Sequence, residues 1–279
     1  MLRKLMKHEL RATGRVMLPT LGLVLTSAVG ANIAVRSLLD SANALMNALG
    51  MLLLAVFVMA MAGAMVFSVV LMIRRFYVNL LRDEGYLMMT LPVSVHEHIL
   101  SKLTVSLIWA AATVITLVLA MIVLVFDLSL IQEIRTGFSA LLREVTLGVH
   151  FGDRLIADVV MNLAGYSVEF IAIAFAADAL LCLEVYAALA VGHSFSSHKW
   201  LMTAVAALVM HIGSEILDEL LKAFVNLFDL NAVSTWMQTL SETTIVHLWL
   251  LVIIVVILLY AGVYYAITAW FLRRRLNLE

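Results

Sequence analysis

The chain has little charge, little proline and a single cysteine. Only 13% of its 279 residues are Asp, Glu, Lys or Arg, about half the ~25% share of a soluble globular protein. With 64% hydrophobic residues and a mean hydropathy of +1.06, too little polar surface exists to wrap the apolar material in water. That excludes a soluble domain and makes lipid the solvent for much of the chain. Cys182 stands alone inside an apolar run, so there is no disulfide framework, no CxxC pair and no Cys/His metal pattern. Two prolines leave little reason to expect broken helices. Short alternating strands are missing, which argues against a transmembrane β-barrel. Also missing are a GxxxxGK[ST] phosphate loop, HExxH, GxSxG and a Cys/His nucleophile arrangement. The chain is therefore not expected to be an enzyme or to bind a cofactor or metal of its own.

What is present is a set of long uncharged runs. Val16 to Val35 gives 20 such residues, enough to cross a ~30 Å hydrocarbon core at about 1.5 Å per residue. A basic start followed by an apolar run also describes a secretory signal peptide, but this run is long for one and is read as a mature helix. Ser41 to Ile73 supplies span two over about 46–73, and Leu103 to Phe126 supplies span three. Span four, about 165–191, is apolar but carries Glu169, Asp178 and Glu184. Span five covers about 200–221 and span six about 243–272. The expected fold is all-α: a single polytopic membrane domain over 1–279 with six transmembrane helices and both termini on one side.

The basic residues choose that side. The amino terminus, the segment Arg74–Lys102, Lys199 and Arg273–Arg275 hold 13 of the 18 Lys and Arg, which marks them as cytoplasmic. Counted this way, the cytoplasmic face carries +8 and the outer face −6, with three acids left inside span four. Residues 1–15 place Leu2, Leu5, Met6 and Leu10 opposite Arg3, Lys4, Lys7 and Arg11, the pattern of an amphipathic helix at the inner membrane surface. The same basic face fits simple anchoring to anionic lipid. Outside, Ile131, Ile134, Phe138, Leu141, Leu142 and Val145 repeat at helical spacing and predict amphipathic helices packed over the outer ends of the spans. A second outer segment, about 218–242, has a similar mixture.

The cytoplasmic stretch Arg74–Lys102 is far longer than the ~2–8 residues a connector between adjacent helices needs. Gly85, after the acidic pair Asp83-Glu84, is suited to end the extension of span two. Tyr86 to Leu91 forms a short apolar turn that needs a membrane surface or a partner protein to cover it. Pro92 prevents that turn from running into the next helix, and Ser94-Val95-His96-Glu97 fits the S-x-x-E capping box. The predicted shape is helix, short crosswise segment, helix.

DEGYLMMTLPVS with the Ser101-Lys102 pair, the short loop GHSFSSHK at 192–199 and the ending LRRRLNLE at 272–279 resemble the permease subunits of bacterial ATP-binding cassette (ABC) exporters of the type-2 permease class. The resemblance covers the whole chain, through its six-span order, amphipathic amino terminus and loop positions. It implies that Asp83, Glu84, Gly85, Tyr86, Leu87, Met88 and Met89 form a coupling helix seated in a groove of a separate ATPase subunit. The loop at 192–199 would make a second, smaller contact, and the outer helices would cap the exit of the path. It further implies two ATPase subunits per complex, carrying the ATP and Mg, a second permease copy or paralogue, surrounding lipid, and a place in the bacterial cytoplasmic membrane. No nucleic-acid partner is expected. The acids of span four belong to no pattern of that family.

Asp178 lies near the bilayer midplane, where an ionised acid costs roughly 2.5–3.5 kcal/mol on insertion scales. His211 falls at nearly the same depth in span five, which predicts an Asp178–His211 interaction across the hairpin. Glu184 is rotated about 240° from Asp178 and must face another neighbour. Glu169, near the outer end, can reach interfacial water. These groups also support an alternative reading, an ion-coupled secondary transporter or channel that uses the buried acids of span four; a structural membrane protein without transport is a third.

Overall fold

In the computed structural model, the residues described are 2–38, 43–81, 93–151, 154–195, 197–226 and 231–274. Asp83, Glu84, Gly85, Tyr86, Leu87, Met88, Met89 and Pro92 lie outside them, as does most of the final LRRRLNLE segment. Eight α-helices are found among the described residues: α1 Leu2–Ile33, α2 Ala44–Leu81, α3 Val95–Val125, α4 Leu128–Thr146, α5 Ile156–Gly192, α6 Lys199–Asn226, α7 Asn231–Gln238 and α8 Glu242–Arg274. Two-residue strands β1 His150–Phe151 and β2 Arg154–Leu155 pair antiparallel between α4 and α5. Five helices are long and apolar enough to cross a membrane: α1, α2, α3, α6 and α8. The chain is a multi-span helical membrane protein.

The six spans expected from the sequence are thus met in five. The remaining helix, α5, is 37 residues long but carries Asp158, Glu169, Asp178 and Glu184. Its second half is also enclosed: Tyr186 to Ala190 are all buried, and consecutive buried residues cannot come from a single helix face.

By its packing the chain divides into two compact units, Met1–Arg74 with Leu100–Ile156, and Arg75–Ile99 with Ala157–Glu279. In the first, α1 runs on from the basic amino terminus into the span without a break, and Pro19 lies within it. The expected separate interfacial helix is instead the first four turns of one long helix. Its basic face stays exposed, whereas Glu9, Thr13, Met17, Leu21, Val24, Ala28 and Ala31 form a buried stripe at spacings of three and four. Two clusters pack against that stripe. Met17 and Leu21 meet Leu71 and Met72 of α2 and Val105 and Trp109 of α3; Val24, Ala28 and Ala31 meet Phe57 and Ala64 of α2 and Ala120 of α3. Small residues at the second cluster let helix backbones approach, as lipid-embedded helices require when no hydrophobic force drives them together.

A five-residue π-helix, Ala34–Leu38, follows α1. It and the last turn of α1 cap α3. Asn32 donates from Nδ2 to the carbonyls of Val123 and Leu124 at 3.0 and 2.9 Å. Arg36 donates to Phe126 O and pairs with Asp127 at 3.0 Å. The carbonyls that every helix leaves unsatisfied at its end are thereby bonded, with a cation at the negative end of the helix dipole. Helix α4 ends through Gly148, whose φ of +66° is the left-handed conformation that a residue with a Cβ resists.

In the second unit, Phe76 and Leu80 at the end of α2 are fully buried, and Phe76 meets Tyr186 in the buried half of α5. Ala261, Tyr264, Thr268 and Leu272 form the buried stripe of α8. The remaining faces of the spans expose large apolar side chains along their length, Leu251, Val255 and Leu259 of α8 among them, which only a lipid solvent accommodates.

Candidate functional site

The second unit holds the acids of α5 together with the end of α2 and the turn between α5 and α6. At the start of α3, the S-x-x-E spacing is realised as two hydrogen bonds. The Ser94 amide donates to Glu97 Oε2 and the Glu97 amide to Ser94 Oγ, each at 3.3 Å. One turn of this helix thus satisfies two of its free amides with its own side chains. His96, in the same turn, lies 2.6 Å from Tyr265 Oη of α8 through Nδ1.

The last turns of α2 carry two aromatic contacts. Phe76 stacks on Tyr186 of α5, with ring centroids 3.9 Å apart and planes within 7°. Tyr77 meets His193, just past α5, and Trp200, at the start of α6, at centroid distances of 5.2 and 4.8 Å. His193 and Trp200 are themselves in edge contact at 5.9 Å. His193 is buried, and its Nδ1 is 2.9 Å from Leu189 O. Burial, and then the Lys199 charge, hold its imidazole below the usual range against the opposing pull of that hydrogen bond. The turn between α5 and α6 is close: a Cβ on Gly192 would lie 2.5 Å from both Cα and N of Thr203. His198 completes the turn at φ +52° and accepts the Met202 amide at 2.9 Å.

Polar side chains of α5 and α6 end on α8. Glu169 Oε1 is 2.7 Å from His247 Nδ1, and the His247 ring stacks on Tyr166 at 4.5 Å. Gly165 makes room for that ring, since a Cβ there would stand 3.0 Å from His247 Cε1. The other carboxylate oxygen, Oε2 of Glu169, is buried with no partner among the described residues. Tyr260 Oη donates to Asp218 of α6 at 2.5 Å. Tyr264 has Ser214 of α6 as hydrogen-bond partner and the Glu184 carboxylate nearby.

No protein-family model, characterised protein or solved structure matches the chain.

The expected Asp178–His211 pair is not formed. Asp178 Oδ2 is buried without a partner among the described residues, and His211 is exposed. The protein-facing side of α6 runs through Ala206, Met210, Ser214 and Asp218, at steps of four, and His211 is one residue, about 100°, off that line. Matching depth does not fix rotation. Nor does Glu169 serve only to reach interfacial water, since it holds His247. Glu184 lies near Tyr264.

Sequence reasoning missed His247, Tyr260 and the platform made by Tyr77, His193 and Trp200. It also placed Lys102 only among the basic residues of the cytoplasmic segments and did not single out Glu9. In the first unit these two form an ion pair of 2.6 Å, with side chains 8% and 3% exposed. One turn further along, Trp109 Nε1 donates to Thr13 Oγ1 at 2.7 Å. Among the described residues no group of three or more His, Cys, Asp or Glu converges as a metal-ligand set.

Proposed function

We propose that the chain is the non-catalytic permease subunit of an ABC exporter of the type-2 class, with six spans, both termini cytoplasmic and a bacterial cell membrane as its site. It pairs with a second copy or a paralogue and takes its energy from two separate ATPase subunits that carry ATP and Mg. The observation that carries this reading is the aromatic platform where α2 ends and α5 turns into α6. Tyr77, at the base of the loop that follows α2, packs on His193 and Trp200, which flank the loop between α5 and α6. Phe76 beside it stacks on Tyr186. A push delivered to the loop after α2 by a moving partner reaches α5 and α6 through rigid rings rather than through flexible side chains. The loop itself, Asp83 to Met89, is the proposed contact for that partner.

The test is co-purification of the chain with a soluble ATPase, followed by assay of the complex. Glu84→Ala and Tyr86→Ala are expected to leave expression intact and abolish substrate-stimulated ATP hydrolysis. Unchanged stimulation would remove the contact from the proposal.

A second reading has one observation of its own. The unpartnered oxygens of Glu169 and Asp178 and the Glu169–His247 pair are groups that could hold a proton or cation within the membrane. Transport by the isolated chain, driven by a pH gradient and lost in Asp178→Asn or Glu169→Gln, would favour an ion-coupled transporter.

A further inference from the structure

Helix α4, Leu128–Thr146, was expected to pack over the ends of the spans, and its surroundings are otherwise. Every described side chain from Gln132 to Glu144 is exposed. Ile134, Phe138 and Leu142 are 61%, 61% and 51% exposed. With Leu141 and Val145 they fall on an arc of roughly 100°, while Gln132, Glu133, Thr136, Ser139, Arg143 and Glu144 take the opposite side. Such a separation on a helix whose apolar arc is exposed among the described residues means that something else covers that arc.

What covers it is indicated by the groove at its foot. Only Phe126 and Asp127 separate α4 from α3, so α4 begins where a membrane span ends. An open groove of ≈ 500 Å³ lies between the two helices, lined by Leu117, Val118, Met121, Ile122 and Val125 of α3 and by Ile134 of α4. Its α3 wall belongs to the exposed apolar surface of that span, where Val114, Val118, Met121, Ile122 and Val125 face outward. That surface is in lipid, and the groove is continuous with it.

We infer that α4 lies in the membrane interface at the C-terminal end of α3, apolar arc inward, and that acyl chains of that leaflet fill the groove between α3 and α4. The physical cause is the one that holds any interfacial helix: apolar area leaves water while the polar face stays wet. Headgroup charge is not what holds it, because Glu133 and Glu144 balance Arg135 and Arg143. Uncharged phosphatidylcholine is sufficient.

The test uses the full chain with Cys182→Ala, reconstituted in phosphatidylcholine vesicles. Single cysteines at Ile134, Phe138 and Leu142, and at Thr136 and Arg143, carry a nitroxide; all five positions are exposed, so the label does not fill a packed site. Collision with oxygen, which concentrates in the bilayer, is compared with collision with a water-soluble nickel chelate. The expected result is high oxygen and low nickel access at 134, 138 and 142, reversed at 136 and 143. Nickel access at 138 and 142 equal to that at 136 and 143 would place α4 in water and overturn the inference. Low access to both agents at 138 and 142 would mean that protein, such as a second copy of the chain, covers the arc, and would overturn it equally.

Discussion

Removing one partner of the Glu9–Lys102 pair should cost far more than removing both. The Nζ to Oε1 distance is 2.6 Å and both side chains are almost wholly buried. At that separation two unit charges attract by about 6 kcal/mol at an effective dielectric of ~20, and burying each ion costs several kcal/mol, so the pair contributes little net stability. Lys102→Met keeps the volume of the stem and leaves the Glu9 carboxylate buried against α3 without its cation. The expected penalty is about 3–5 kcal/mol. At roughly 2–4 °C per kcal/mol this lowers the unfolding midpoint by roughly 6–20 °C. Glu9→Leu with Lys102→Met removes both charges together and should recover most of that loss, since an apolar replacement of a buried pair is often neutral or stabilising. The assay is thermal unfolding of purified protein in one detergent, followed by tryptophan fluorescence, because Trp109 is bonded to Thr13 one turn away. If Lys102→Met unfolds within a degree or two of the wild type, or if the double variant falls as far as the single one, the pair is not buried and paired as described.

Three further outcomes are expected. Gly192→Ala places a Cβ 2.5 Å from backbone atoms of Thr203, which cannot move alone, and should destabilise by about 1–3 kcal/mol or more; Gly63→Ala, with open space around it, should be neutral or stabilising by up to ~1 kcal/mol, and unfolding midpoints of the two compare them directly. Tyr260→Phe removes the bond to Asp218 and should cost about 1 kcal/mol, read in the same way, with Leu259→Ala on the lipid-facing side as the control. His193 is held below its ordinary value in the folded state, so the unfolded chain takes up its proton first as pH falls. The stability tied to its neutral ring is complete above about pH 6.5 and is lost as pH drops from there through the lowered folded value. Unfolding midpoints measured from pH 7.5 to pH 5 should therefore fall less in His193→Asn than in the wild type; parallel curves would refute the assignment.

The helices were legible because uncharged runs of twenty to thirty residues have one structural solution in lipid, a fully hydrogen-bonded helix. What the runs could not show was how charges at their ends are used. Glu9 reads as one more charge on a basic segment until it is placed on the stripe Glu9, Thr13, Met17, Leu21, where it falls on the protein-facing side of α1. Lys102 falls likewise on the line of Lys102, Val105 and Trp109. Spacing alone could have found both. It could also have warned against His211, which sits off the line that carries Ser214 and Asp218. The Glu169–His247 pair asks for more, because it joins helices 78 residues apart in sequence. The enabling signal is modest: Gly165 and Tyr166, one turn before Glu169, supply the gap and the flat ring that an imidazole needs. The amphipathic pattern of α4 was plain in the sequence, but a pattern states only that an apolar neighbour exists and not whether it is protein or lipid.

Four polar contacts between helices of the second unit share one receiver. Glu169 ends on His247, Asp218 on Tyr260, Glu184 beside Tyr264 and His96 on Tyr265, all on α8. From Thr243 to Leu272 that helix has no Asp, Glu, Lys or Arg. The division has a physical logic. An acid on an isolated span is costly in lipid, whereas Tyr and His carry a polar tip on a largely apolar body and need no fixed charge. A helix that supplies only such groups can enter the bilayer readily and then bond the acids of α5 and α6 when the unit assembles. Glu169 and Asp218 tie their helices to that assembly, because each carboxylate would otherwise lose its α8 partner. Loss of the His247 imidazole or the Tyr260 hydroxyl should therefore be felt on α5 or α6, where the stranded carboxylate lies, more than on α8 itself.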